Sequence, residues 1–263
     1  MQPESKPESF YKVVRRSLAR RRLKLAEVCP PDSAVARRVF EEYGAIYVAS
    51  ERVAVPPVAV FINKNEAEEF QKQTGWKRAV FADTEIELQP AALNALVAAR
   101  VEAQAEGLSI TPRGGREAGR RSFDDSLRLW NSRVVPAIEH WTERERLSTE
   151  EAARLQNLAV ADQVAAVLEL EKRNIFFSKD FTKPILRSVA APGASQHISM
   201  LAFDVAEFQT ARVREILAAH GWFQTVVSDL PHFTFLDWRE AELPSRGLKK
   251  VEMAEQIFWI PNV

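Results

Sequence analysis

Two apolar periodicities alternate along this chain, and that alternation most constrains what it can fold into. Short β-branched clusters at 45–49, 58–62 and 79–82 are separated by Pro56-Pro57 and Gly75, which predicts strands with one helix between them at 66–73. Longer stretches repeat at helical spacing. One starts at Pro90, a favoured first helical position, carries Leu93, Leu96, Val97 and Val101 on one face, and stops at Gly107. Residues 108–111 read as a further strand, followed by a loop rich in Gly and Arg over 112–121. Ser122, with Asp125 three residues on, has the spacing of a capping box and opens another helix, which Pro136 is expected to kink or end. Ser148 with Glu151 repeats that spacing and predicts a long helix through 172, with Leu155, Leu158, Ala165 and Leu168 facing one way. The last third alternates short strands and loops around one helix at 211–219. This pattern predicts an α+β fold, with helices packed on a mainly antiparallel sheet.

Composition narrows the function. The 263 residues carry 36 Lys and Arg against 36 Asp and Glu, for a formal net charge of zero, and 46% are hydrophobic. That apolar fraction supports a real core and excludes bulk disorder. The balanced charge argues against a dedicated nucleic-acid binder, so no nucleic acid is expected as a partner. No apolar run approaches the roughly 18 residues needed to span a bilayer. The single cysteine, Cys29, leaves no internal disulfide. Charge is nevertheless uneven along the chain. Residues 1–9 read as a polar tail, and 12–24 hold seven basic residues with Val13, Val14, Leu18 and Leu23 near helical spacing between them. That segment reads either as a basic amphipathic helix contacting an anionic surface or as a helix with a merely solvated basic face. Cys29-Pro30-Pro31-Asp32 stands where a signal peptide would need its apolar stretch.

Four histidines make any search for metal ligands short: His140, His197, His220 and His232. His140 and His220 sit in helical contexts and read as structural. His197, Asp204 and His232 together offer two imidazoles and a carboxylate, the ligand set of many catalytic zinc sites. His197 and Asp204 are seven residues apart, and a strand rising about 3.3 Å per residue would separate them by about 23 Å. The chain must therefore fold back between them if both bind one ion. A glycine would ease that bend, but Ser199 and Met200 occupy it.

The stretch Pro192-Gly193-Ala194-Ser195-Gln196-His197-Ile198-Ser199-Met200-Leu201-Ala202-Phe203-Asp204 resembles the zinc D-alanyl-D-alanine carboxypeptidases of the VanY-like family. Their hallmark reads Pro-Gly-x-Ser-x-His-x-x-Gly-x-Ala-x-Asp, and each named position matches except the second Gly, here Met200. In the place of a second hallmark, Glu-x-x-His followed by an aromatic, stands Asp229-Leu230-Pro231-His232-Phe233, with Asp for the Glu. A third, a Ser-Gly-Tyr-Arg-Ser turn leading into a helix, is similar to Ala118-Gly119-Arg120-Arg121-Ser122 and the helix after it. The resemblance spans about residues 88–238. It implies a D,D-peptidase/hedgehog-like fold with an N-terminal extension. The chain then divides into a basic tail and helix (1–36), a small α/β subdomain (37–88) and a metallopeptidase domain (89–263) with a helical insertion near 140–180.

By this resemblance His197, Asp204 and His232 bind Zn2+. Asp229 stands in for the family's Glu as the proton carrier, one methylene shorter. Arg121 matches the arginine that contacts the scissile carbonyl, although Arg113, Arg116 and Arg120 crowd the same loop and Arg187 is a fallback. Ser195 is expected to support the site or touch substrate, and Ser126 stands where the family commonly has Gln. Pro231 keeps Leu230 extended, so this segment is strand or loop rather than helix. The implied activity is a zinc peptidase on peptidoglycan stem peptides, as a D-Ala-D-Ala carboxypeptidase. An endopeptidase of the same family and a non-catalytic zinc-containing domain that binds cell wall or protein are the alternatives. Peptidoglycan as partner implies an exported protein of the periplasm or cell envelope, with a cytoplasmic location as the alternative.

Overall fold

A computed structural model describes residues 6–263; residues 1–5 of the expected tail lie outside it. The fold is α+β, with helices packed around small antiparallel sheets. The N-terminal part holds α1 (Phe10–Arg20), α2 (Leu25–Val28), α3 (Ala34–Tyr43) and α4 (Lys64–Thr74). A hairpin follows, β1 (Lys77–Phe81) and β2 (Thr84–Leu88), joined by Ala82 and Asp83. Both linking residues have positive φ, 45° and 65°, the twist that suits a tight two-residue hairpin. α5 (Pro90–Ala105) and α6 (Phe123–Glu143) lead to α7 (Thr149–Asn157) and α8 (Val160–Glu171). The remainder forms β3 (Ala202–Asp204), α9 (Ala211–Ala219), β4 (Trp222–Gln224), β5 (His232–Phe235), β6 (Leu248–Met253) and β7 (Gln256–Pro261). β3, β5 and β4 make a three-stranded sheet with β5 in the middle, and β6 and β7 pair with each other.

Apolar burial explains the packing. One core joins Phe10, Val14 and Leu18 of α1, Phe40 of α3, Phe81 and Ile86 of the hairpin, and Phe203, Trp222, Phe233 and Phe235 of the central sheet. The N-terminal segment and the C-terminal third are therefore parts of one apolar interior. A second cluster gathers Trp130, Val134, Leu155, Val164, Val167 and Phe177 around α6, α7 and α8. On α1, Val13, Val14 and Leu18 face inward, while three basic side chains meet acids, Lys12 and Arg16 at Glu8 and Arg20 at Glu51; Lys24, just before α2, meets Glu27.

Local signals held where they concern helix ends. Both expected capping boxes form, Ser122 with Asp125 and Ser148 with Glu151, and α5 begins at Pro90. Three apolar runs behave differently from expectation. The 45–49 run lies in a 3-10 turn (Gly44–Val48), and neither 58–62 nor 108–111 forms a strand, with Pro112 making only an isolated bridge to Val205. Their residues are apolar because many of them are buried in loops and turns, and burial alone does not require strand pairing. Pro136 does not end α6, which continues to Glu143. Pro136 and Ser132 are both exposed, so the carbonyl that loses its helical partner stays open to water. The helix expected through 172 is broken at Leu158 and Ala159, both extended, and α8 restarts so that Val164 and Val167 enter the second cluster.

Candidate metal centre

The ladder between β3 and β5 sets the site. Its register places Asp204 directly opposite His232, so two of the expected ligands face each other across one antiparallel pair. His197 reaches them from a compact run of turns over 195–200. There the amides of Ile198, Ser199 and Met200 donate to the carbonyls of Ser195, Gln196 and His197. The required fold-back ends at Met200, whose φ of 57° is the left-handed value a glycine would supply at no cost. A methionine there costs about 1–3 kcal/mol. Its side chain is fully buried, which offsets that strain. Gly193 opens the same segment at φ 81°, and a Cβ on it would lie 2.0 Å from the Phe61 carbonyl oxygen, so no other residue fits.

Three ligand atoms converge. His197 Nε2 lies 3.1 Å from His232 Nδ1 and 3.3 Å from Asp204 Oδ1, and His232 Nδ1 lies 3.2 Å from that same oxygen. A tetrahedral ion with bonds of about 2.0 Å needs donor atoms about 3.3 Å apart, so the triangle already has the size of one face of such a site. The far side of each ring settles its protons. His197 Nδ1 meets the Gly119 carbonyl oxygen at 2.8 Å, which can only accept, so Nδ1 carries the hydrogen. Gln196 gives its amide NH2 to the Tyr43 carbonyl (2.7 Å) and so turns its oxygen to His232 Nε2 at 2.8 Å, where Thr234 also donates to it. His232 Nε2 is therefore the protonated nitrogen of the neutral ring. Two lone pairs and a carboxylate oxygen are left pointing at one another with no donor between them, an arrangement that a cation relieves. The three residues form a group able to hold a metal ion, and the donor set suits zinc and other divalent transition metals.

Electrostatics agree with this donor set. Burial, followed by the nearby Arg121 charge, pushes the His197 ring down to about 4 and keeps it neutral. Burial would raise the Asp204 carboxyl, but its polar surroundings outweigh that and hold it well below the usual carboxylate range, so it stays an anion. Asp204 Oδ2 also takes Arg121 Nη2 at 2.6 Å. The guanidinium is fixed from behind by Nε donating to the Glu117 carbonyl at 2.9 Å. The other loop arginines are occupied elsewhere: Arg120 with Glu87 and Gln71, Arg116 with Asp125, and Arg113 over the Phe208 ring.

The triad lies beside a cleft of about 280 Å³ lined by Arg121, Arg133, Arg187, Ser195, His197 and Asp229, among others. Ser195 is nearly buried, and its hydroxyl accepts the His197 amide at 3.4 Å. Asp229 sits in the turn before β5, in a loop rather than a helix. It is exposed as a residue, yet protein crowds its carboxyl. That desolvation raises its pKa, with Asp204 adding to the rise and the His232 ring opposing it. Because water still reaches the residue, the rise is smaller than for a sealed carboxyl.

Of the residues singled out from sequence, His197, Asp204, His232, Arg121, Ser195 and Asp229 come together here. Ser126 does not: it is buried on α6 and does not line the cleft. His140 stacks on Phe181, and His220 pairs with Glu102, both outside the triad. Sequence reasoning missed Gln196 and the Gly119 carbonyl. Gln196 occupies an unspecified position of the motif, and a backbone carbonyl has no side-chain signature. Compared with protein-family models the chain matches none, and no curated protein is similar to it in sequence.

Proposed function

We propose that this protein is a zinc-dependent peptidase acting on peptidoglycan stem peptides as a D-Ala-D-Ala carboxypeptidase. The observation that carries the reading is the donor-free convergence of His197, Asp204 and His232 beside an open cleft, within residues that resemble the VanY-like hallmarks. These three residues would hold the zinc. When bound, the ion supplies a Lewis acid and lowers the pKa of a coordinated water. Gly119, Gln196 and Thr234 keep both rings in the ligating tautomer. Arg121, immobilised between Glu117 and Asp204, offers a permanent positive charge to an oxygen that gains negative charge in the reaction. Asp229, with its pKa raised, is the group to take up a proton and pass it to the leaving amine.

Metal analysis of the purified protein, paired with mass spectrometry of muropeptide digests with and without chelator, tests this. Bound zinc and chelator-sensitive release of D-Ala are the expected results. Activity that survives His197→Ala would sink the reading.

Asp229 also favours a second reading, a non-catalytic domain that binds cell-wall peptide through the same site. Its carboxylate is shorter than the family's Glu by one methylene, about 1 Å, and misplacement of that size costs about a hundredfold in rate. Asp229→Glu separates the two. Zinc and peptide binding without hydrolysis in either form supports the binding domain, whereas a change in rate in either direction supports catalysis.

A further inference from the structure

The cleft beside the candidate metal triad holds more positive charge than the described residues neutralise. Of its three arginines, Arg121 is paired with Asp204. Arg133, half-buried on α6, spends Nε on the Ser188 hydroxyl at 2.9 Å and Nη1 on the Ser132 hydroxyl at 2.8 Å. Both partners are neutral. Arg187, in the short 3-10 turn Ile185–Arg187 at the exit of the helical insertion, is exposed and has no side-chain partner among the described residues. Ser188 ties the two together, being the chain neighbour of Arg187 and the acceptor for Arg133. Against these charges the cleft lining sets one carboxylate, Asp229. A divalent cation on the triad adds to the excess.

We propose that Arg133 and Arg187 form a receptor for the terminal carboxylate of the peptide that enters this cleft, which selects chains that end there over chains that run through it. The proposal rests on the peptidase reading of the same site. Guanidinium forks match a carboxylate in geometry and charge; Arg133 is held and half-buried, Arg187 is exposed with its donors unspent among the described residues, and both gain more from a carboxylate than from an uncharged backbone. A peptide that continues past the cleft presents only amides to both arginines and leaves their charge unanswered. A peptide that ends there supplies the missing anion. The specificity element thereby comes from α6 and the short 3-10 turn that flank the expected insertion, while the metal ligands come from the sheet and the turn before it.

The test uses the zinc-loaded protein and two probes, a stem pentapeptide ending in D-Ala-D-Ala and the same peptide with its C-terminus amidated. Binding is measured by calorimetry, with mass spectrometry of the same samples reporting cleavage and zinc affinity titrated in parallel. The free acid is expected to bind at least about tenfold more tightly than the amide. In Arg133→Gln/Arg187→Gln that preference is expected to vanish while zinc affinity stays unchanged. Equal binding of acid and amide to the wild type, or a preference that survives the double substitution, overturns the receptor and leaves the peptidase reading standing. Zinc binding with neither peptide bound nor cut overturns the peptidase reading and the receptor with it. Should the double variant fail to fold, Arg187→Gln alone decides the matter, because it removes an exposed side chain that has no partner among the described residues and must still shrink the preference.

Discussion

His220 and His232 each set a ring nitrogen against a carboxylate, at 2.9 Å from Glu102 and at 3.2 Å from Asp204. Around His220 the contact is ordinary. The ring is partly exposed, Glu102 is more so, and Arg212 shares the same acid. Around His232 the surroundings change the meaning of the contact. The ring is buried, its far nitrogen is committed to Gln196, and a second imidazole approaches the same carboxylate oxygen. A histidine beside an acid is thus not a ligand by itself. What sets the candidate ligands apart is that each ring proton goes to an outer acceptor, so that only lone pairs remain at the centre.

The contrast can be attacked by substitution. Arg121→Ala should have the largest effect, because it leaves the enclosed Asp204 carboxylate without its cation. Breaking such a pair costs about 3–5 kcal/mol. Denaturant unfolding in the presence of chelator should show that loss, and added zinc should recover part of it by supplying positive charge from the other side. An Arg121→Ala protein as stable as the wild type under chelator would mean that Asp204 is better solvated than its burial indicates. His197→Ala comes next. Zinc affinity should fall by more than about 100-fold, beyond the range for residues that only support ligands. The stabilisation that zinc confers, about 2.7 kcal/mol at a hundred times Kd, should disappear from thermal melts. Gln196→Ala should weaken zinc by about 10–100-fold, since it frees the His232 ring to adopt the other tautomer. No change would show that Gln196 holds Thr234 and Tyr43 for packing alone. His220→Ala should move stability by less than about 0.5 kcal/mol and leave zinc binding as it was, as befits a partly exposed surface contact.

Much of the fold is legible in the sequence, and what is legible follows from physical causes. Helix starts are encoded within four residues, so the boxes at Ser122 and Ser148 and the proline at Pro90 sit where expected. The convergence of His197, Asp204 and His232 is legible because the chain has only four histidines and two of them lie near carboxylates in two short segments. The misread apolar runs at 45–49, 58–62 and 108–111 mark the limit. Burial makes a segment apolar whether it pairs as a strand or packs as a turn, and only distant partners decide which. The same holds for the outer acceptors of the two histidines. Gly119 and Gln196 act through a carbonyl and an amide whose roles depend on segments 78 and 36 residues away. The Arg121–Asp204 pair, 83 residues apart, was equally hidden.

Tyr43 carries a consequence for dissecting the molecule. Its carbonyl receives the Gln196 amide and so fixes which end of that side chain faces His232, while its hydroxyl donates to the carbonyl of Leu186, next to Arg187. A fragment beginning at residue 89 would retain all three ligands and still lack the atom that orients one of them. A unit that keeps this orientation must therefore include Tyr43 of α3, and part of the N-terminal third belongs to the candidate metal centre rather than to its packaging.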